Sequence, residues 1–372
     1  MKYLTLTLIL ISSTSVIAQQ IEIQPGSDPA HYELYEYPLK GTQFMIEDQL
    51  VRLIRPDGSE TTAGMLALDR SGNGEFLQIL YQEGELISEL FDADGSLINR
   101  IQLENFDSFD ETLDVRQFED GRFVTRDNVA NFTFFESDGS IRYQISNSSQ
   151  NPDGESVSEL ASDPAGTTIV LYNPRINYGE HPGSRARIVN DENDTTELLS
   201  SQDRAISHLS VTSSGSFIHL ITEQDGSGDQ LHIFDRFGNQ LTEFNLEENL
   251  SGTHLTEDGS NLTVWFGNRV QVYRTVDMER IGSVSLASSI VHAEYHHEDQ
   301  QMVALGGTTG ADRRVTNPAV YSVHLQERQI ASSEVNAPLS MFKTGQVGIE
   351  RIRPGSYRFV GLNGPLEFQT SF

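Results

Sequence analysis

Apolar and polar residues alternate with period two along most of the chain, the pattern of strands with one buried and one wet face. EFLQILY (75–81), RFVTR (122–126), SFIHLIT (216–222), LTVWF (262–266) and VQVYR (270–274) show it. No long stretch has helical spacing, so helices are not expected. Seven four-residue turns punctuate the strands: RSGN at 70, FEDG at 118, DPAG at 163, TSSG at 212, TEDG at 256, HHED at 296 and KTGQ at 343. Their starts lie 40 to 49 residues apart. Four short strands recurring at that period predict a propeller blade. In one unit, HLSVT (208–212), SFIHLITE (216–223), DQLHIFD (229–235) and QLTEFNL (240–246) read as strands A to D.

The expected fold is therefore all-β, a single β-propeller of four-stranded antiparallel blades over residues 32–372. Segments 19–69 and 343–372 together hold more residues than one blade takes, so eight blades are favoured. YELYEYP, TQFMIED and LVRLIRPDG (32–58) would form a weaker first blade. Seven blades plus an N-terminal arm is the alternative. LEFQTSF (366–372) is an apolar terminal strand suited to closing the ring, since an open edge invites aggregation.

FDADGSLINRIQL (91–103) has near-repeats in FESDGSIRY (135–143), FDRFGNQLTEF (234–244) and LIRPDGSETT (53–62). Asp-Gly and Phe-Gly-Asn supply the positive φ of a tight hairpin turn, which places the motif at the C–D corner. As a helix–loop–helix calcium loop with Gly95 sixth, it would put Leu90 first and Ile101 twelfth, and neither side chain can ligate. No cofactor is expected; calcium remains only in some other coordination geometry.

Residues 1–18, MKYLTLTLILISSTSVIA, read as a cleaved secretory signal, with 19–31 as an N-terminal segment. The chain has no cysteine, so neither disulfides nor a lipid-bearing N-terminal cysteine are available. A periplasmic or secreted, monomeric protein without membrane insertion is expected. Lys and Arg number 25 against 54 Asp and Glu, a net −29 that disfavours nucleic acid. There is a single tryptophan, Trp265, so tryptophan-docking repeats are missing. TEDGSNLTVW (256–265) is one residue too tight for a sialidase Asp-box, and no GxSxG, HExxH or phosphate-cradling loop occurs. By period and patterning over residues ~32–372, the chain resembles secreted bacterial β-propellers of the WD40-like and quinoprotein-like repeat class. That resemblance implies a fold and a binding habit.

Strand A lines a propeller's channel. Four positions before each A–B turn stand Leu66, Asp114, Glu159, His208, Gly252, His292 and Leu339. Two positions further on lie Arg116, Ser210, His254 and Glu294. The candidate ring is thus Asp114, Arg116, Glu159, His208, His254, His292 and Glu294. His292, Glu294 and His296 alternate on one strand face, a spacing that permits metal ligation. The simpler reading of the ring is satisfied polar groups in a wet channel. Two long B–C connections, NPRINYGEHPGSRAR (173–187) and GGTTGADRRVTNP (306–318), carry Arg175, Arg185, Arg187, Arg313 and Arg314. Long loops in compact domains are often functional, and these arginines would seat a carboxylate, an acidic glycan or an acidic partner. The expected function is an exported, non-enzymatic binding or scaffold module for an envelope or extracellular protein or an acidic glycan. The alternative is a polysaccharide lyase or glycoside hydrolase using Asp114, Glu159, His208 or His292 as acid and base.

Overall fold

The computed structural model describes residues 32–36, 43–47, 50–54, 60–70, 76–82, 85–91, 97–103, 114–126, 131–146, 158–177, 182–190, 194–246, 248, 250–310, 314–327, 329–335, 339–341, 347–360, 362 and 366–370. Side chains before Leu77 and that of Asp114 lie outside the description, as do residues 1–31 with the expected signal segment. Every regular element among the described residues is a β-strand, and none is a helix long and apolar enough to cross a membrane.

The strands form seven antiparallel sheets that follow one another in chain order. Sheet 1 is a seven-stranded meander of β1 (Tyr32–Glu36), β2 (Gln43–Glu47), β3 (Leu50–Ile54), β4 (Glu60–Arg70), β5 (Phe76–Gln82), β6 (Glu85–Phe91) and β7 (Leu97–Gln102). Sheet 2 holds β8 (Asp114–Gln117), β9 (Phe123–Arg126), β10 (Asn131–Phe135) and β11 (Ile141–Ser146). Sheet 3 holds β12 (Glu159–Ser162), β13 (Ile169–Asn177), β14 (Pro182–Val189) and β15 (Thr195–Ser201). Sheet 4 holds β16 (Ala205–Val211), β17 (Phe217–Gln224), β18 (Ser227–Asp235) and β19 (Gln240–Asn245). Sheet 5 holds β20 (Gly252–Leu255), β21 (Asn261–Phe266), β22 (Arg269–Arg274) and β23 (Glu279–Ser285). Sheet 6 adds to β24 (Ile290–His296), β25 (Gln301–Thr309), β26 (Arg314–His324) and β27 (Gln329–Glu334) the two-residue β28 (Leu339–Ser340). Sheet 7 has three strands, β29 (Gly348–Arg353), β30 (Ser356–Val360) and β31 (Leu366–Gln369).

The count is seven sheets, not the eight favoured from the sequence. The reason lies in β4. Its first half pairs with β3 through Glu60–Gly64, and its second half pairs with β5 from Met65 onward. No turn interrupts ETTAGMLALDR, so the expected first unit stays hydrogen-bonded into the second.

Six apolar cores join the sheets face to face. Leu77 and Ile79 meet Val115 and Phe123 between sheets 1 and 2, where the Phe123 and Phe135 rings stack at 4.7 Å. Phe132 and Phe134 meet Ile169 and Leu171 between sheets 2 and 3. Val170 and Ile188 meet Leu209 and Leu220 between sheets 3 and 4. Ile221 and Leu231 meet Leu262 and Val264 between sheets 4 and 5. Trp265 and Val272 meet Ala293 and Met302 between sheets 5 and 6, and Val303 and Leu305 meet Tyr357 and Phe359 between sheets 6 and 7. Each sheet is too thin to bury its own faces, so the stack is the core. No such core joins sheet 7 to sheet 1 among the described residues, and a closed ring is not formed by them.

The turns after the first strands are tied together along one side of the stack. Glu119 N–H donates to Pro164 O at 2.9 Å, and Thr168 Oγ1 to Gly215 O at 2.6 Å. Ser213 and Ser214 N–H donate to the Glu257 carboxylate at 3.0 and 2.8 Å. In three of the turns a side-chain oxygen closes the loop five residues on, accepting at Asp163 from Thr168 N–H, at Thr212 from Phe217 N–H and at Thr256 from Asn261 N–H. Gly259 shows why the fourth turn position is glycine. Its φ is +69°, and a Cβ would stand 2.7 Å from the Phe217 ring.

The corner reading of the Asp-Gly repeats holds at the two described copies. Gly139 and Gly238 have φ of 84° and 88°. Asp235 Oδ1 accepts from Phe237 and Asn239 N–H at 2.9 Å each, and Asp138 Oδ1 from Ser140 N–H at 3.0 Å. Residues 92–96 and 55–59, the other two copies' corners, lie outside the described residues.

Candidate functional site

First strands of neighbouring sheets pack on one another: β12 on β16, β20 on β24, β24 on β29. Polar residues on those strands are therefore drawn together between sheets. His208 sits on β16, His254 on β20, and His292, Glu294 and His296 on β24. The period-two alternation of β24 puts its three polar side chains on one face, while Ala293 and Tyr295 enter the core with sheet 5.

Glu294 is the hub. Its Oε1 accepts from Ile349 N–H at 2.7 Å and from His292 Nε2 at 2.8 Å, and Oε2 faces His254 Nε2 at 3.5 Å. One carboxylate thus touches sheets 5, 6 and 7. Burial works to raise its pKa; the attraction of His254 and the His292 hydrogen bond prevail and hold it at about 2. The His254 and His292 rings lie edge to face at 5.7 Å, and Trp265 stands edge-on to His292 at 5.7 Å.

A second pair adjoins the hub. His208 and His219 lie 5.4 Å apart, ring to ring. Burial, reinforced by His292, depresses His208 to about 4. Burial, with His208 and His254 adding to it, puts His219 well below the ordinary histidine range. Burial also lowers His254 and His296, each against the opposing pull of Glu294. Among the described residues, His208 Nε2, both ring nitrogens of His219, His254 Nδ1 and His296 Nε2 have no hydrogen-bond partner, nor do Thr253 Oγ1 and Thr263 Oγ1.

Among the described residues no three His, Asp or Glu side chains are placed to hold a metal ion. The physical reason is visible at Glu294, whose Oε1 is already occupied by its own strand neighbour and by the backbone of sheet 7.

Of the expected ring, the structure brings together His208, His254, His292 and Glu294. The remaining members lie on other sheets. Asp114 is on β8, opposite Arg126, and Arg116 is half-buried on the same strand. Glu159 on β12 accepts from its cross-strand partner, the Tyr172 hydroxyl, at 2.6 Å. Burial and that bond push the Tyr172 phenol above its ordinary pKa.

The two long connections are mostly not loops. β13 and β14 run to Asn177 and from Pro182, and β25 and β26 to Thr309 and from Arg314. Bulges at Asn173/Ile176 and Gly306/Thr308 let the pairing continue past Gly and Pro. The tip of the second hairpin also pairs with β28. Arg175 is exposed on β13. Arg185 faces Glu197 at 3.3 Å, and Arg187 Nη2 donates to Ser146 O at 3.4 Å. Burial, then the like charge of Arg185, lowers the Arg187 guanidinium pKa. Arg314 is exposed at the start of β26, and Arg313 lies outside the described residues. The hairpins belong to sheets 3 and 6, with sheets 4 and 5 between them.

Two features were not anticipated. His219 stands in the buried run Ile218–Thr222; a lone histidine inside an otherwise apolar strand was the available signal. Asp299 accepts two bonds from Arg351 at 2.8 Å each and one from the Tyr357 hydroxyl at 2.7 Å, tying sheet 6 to sheet 7. Burial opposes, but the Arg351 hydrogen bonds prevail and keep Asp299 at about 2.

No family profile matches the chain, and no curated protein does. A solved structure described as that of the eukaryotic initiation factor matches with a TM-score of 0.42 at 10% identity, over 82% of this chain and 88% of that one. A likeness that loose carries no argument about fold or function.

Proposed function

We propose that the chain is an exported β-propeller that binds rather than transforms its ligand. Seven sheets packed serially, with β4 packing on β8 and first strands meeting where β12 packs on β16, β20 on β24 and β24 on β29, support a radial arrangement that closes sheet 7 onto sheet 1. The signal-like residues 1–18 support export to the periplasm or beyond, as a monomer, and the net −29 argues against nucleic acid. The partner is an acidic glycan or an acidic segment of an envelope protein, met by the hairpin arginines Arg175, Arg185 and Arg314.

The observation that carries the non-enzymatic reading is the state of the carboxylates. Glu159, Glu294 and Asp299 are each occupied by hydrogen bonds inside the protein. Glu294 and Asp299, held at about 2, are poor general acids near neutral pH. The lyase or hydrolase reading rests on His208 and His292, which the structure places in one cluster.

Titration of the purified chain with polyuronate oligosaccharides, read by calorimetry and by product chromatography, tests this. Binding without chain cleavage is expected, weakened at least tenfold in the R175A/R185A/R314A variant. Cleavage products that vanish in H292A would overturn it in favour of the enzyme.

A further inference from the structure

We propose that His208 and His219 form a proton-operated latch between sheets 4 and 5, neutral and closed near pH 7 and opened by mild acid. Three observations place it there. They come from β16 and β17, lie 5.4 Å apart ring to ring, and stand on the face of sheet 4 whose Ile221 enters the core shared with sheet 5. His219 is only 3% exposed, and His208 is half-buried. Among the described residues, His208 Nε2 and both ring nitrogens of His219 have no hydrogen-bond partner. A native protein leaves few buried polar atoms unpaired, so such a cluster is expected to have a role.

Charges around the latch are unevenly shared. His254 faces Glu294 and, further off, Glu257, with His292 as the opposing neighbour. His208 faces His292 and His219, and His219 faces His208 and His254; among the described residues neither has a carboxylate as a charged neighbour. His296, beyond Glu294, answers to Asp299 and Arg351 on the sheet 6–7 side. A proton arriving on the sheet 4 side thus gains no counter-ion, and a second beside it is repelled. The open state, in which water reaches the rings, binds protons more readily, so falling pH shifts the population toward it. Glu294 stays ionised through this range and holds sheets 5, 6 and 7 together.

Hydrogen exchange of the full chain at pH 7 and pH 4.5, corrected for intrinsic rates, is the test. Peptides covering 205–224 and 252–266 are expected to exchange at least tenfold faster at pH 4.5, while 169–189 on sheet 3 keeps its protection. In H208Q/H219Q the acid response of those peptides should disappear. Uniform loss across the chain, no loss, or an undiminished response in the variant overturns the proposal. Should the variant fail to fold, NMR titration of the wild-type histidines decides. A midpoint near 4 for His208 and one well below the ordinary histidine value for His219 support the latch, and midpoints near 6.5 for both sink it.

Discussion

Replacing Glu294 by glutamine probes the hub with little change of shape. The amide oxygen still accepts from Ile349 N–H, so the chief loss is the negative charge facing His292 and His254. Hydrogen bonds to a charged group contribute about 1.5–3 kcal/mol against about 1 for neutral ones, so two weakened contacts cost roughly 1–3 kcal/mol. Proton linkage gives an independent figure. The carboxylate moves from 4.5 to about 2 on folding. At about 1.4 kcal/mol per pH unit this is roughly 3 kcal/mol. A depressed carboxylate stabilises above its unfolded pKa, and that stability is lost as pH falls through the folded pKa. The gap between wild type and E294Q should therefore be full at pH 7, begin to close below about 4.5 and be nearly gone at 2. Urea unfolding followed by fluorescence of the sole tryptophan, Trp265, which abuts His292, measures both. A difference below about 0.5 kcal/mol at pH 7, the scatter of ordinary surface substitutions, would refute the hub.

Asp299→Asn takes the charged acceptor from the Tyr357 hydroxyl and from two of the Arg351 bonds, while Arg351 keeps Glu298, and should cost about 1–2 kcal/mol, with faster hydrogen exchange confined to 347–360 and 366–370. Gly259→Ala, strained at φ +69° and pressed on Phe217, should lower stability by about 1–3 kcal/mol in thermal unfolding. Arg185→Ala, removing an exposed pair with Glu197, should leave stability within about 1 kcal/mol by urea titration, so any loss of glycan binding is not a folding effect. Lowering the pH from 6.5 to 4 should destabilise the wild type through His208, whose neutral form the fold prefers; unchanged thermal unfolding midpoints over that interval would contradict the burial of the ring.

The turns were legible in the sequence because they need special backbone. Gly121, Gly166, Gly215 and Gly259, the fourth residues of the turns at 118, 163, 212 and 256, all take positive φ. Sheet membership at the N-terminal end was not, since alternation marks a strand but not the point where β4 passes from one partner to the next. The hairpins of sheets 3 and 6 looked like loops because Gly306–Gly307 and Asn317–Pro318 break local propensity, while bulges carry the ladder past them. Among site residues, first-strand position grouped His208, His254, His292 and Glu294, side chains that lie near one another in the structure. It said nothing of Ile349, 55 residues from Glu294, whose N–H occupies the carboxylate. Nor did it separate Glu159, which turns to Tyr172 in its own sheet.

Radial closure is the claim on which the shared mouth of the ring rests. The chain has no cysteine, so N99C/E367C places two spin labels uniquely, on the exposed faces of β7 and β31. Neighbouring sheets lie about 10 Å apart at their cores and diverge outward, so closure predicts a pulsed-dipolar distance of about 15–25 Å. An open stack, with six such spacings between its end sheets, would give about 60 Å and contradict the propeller.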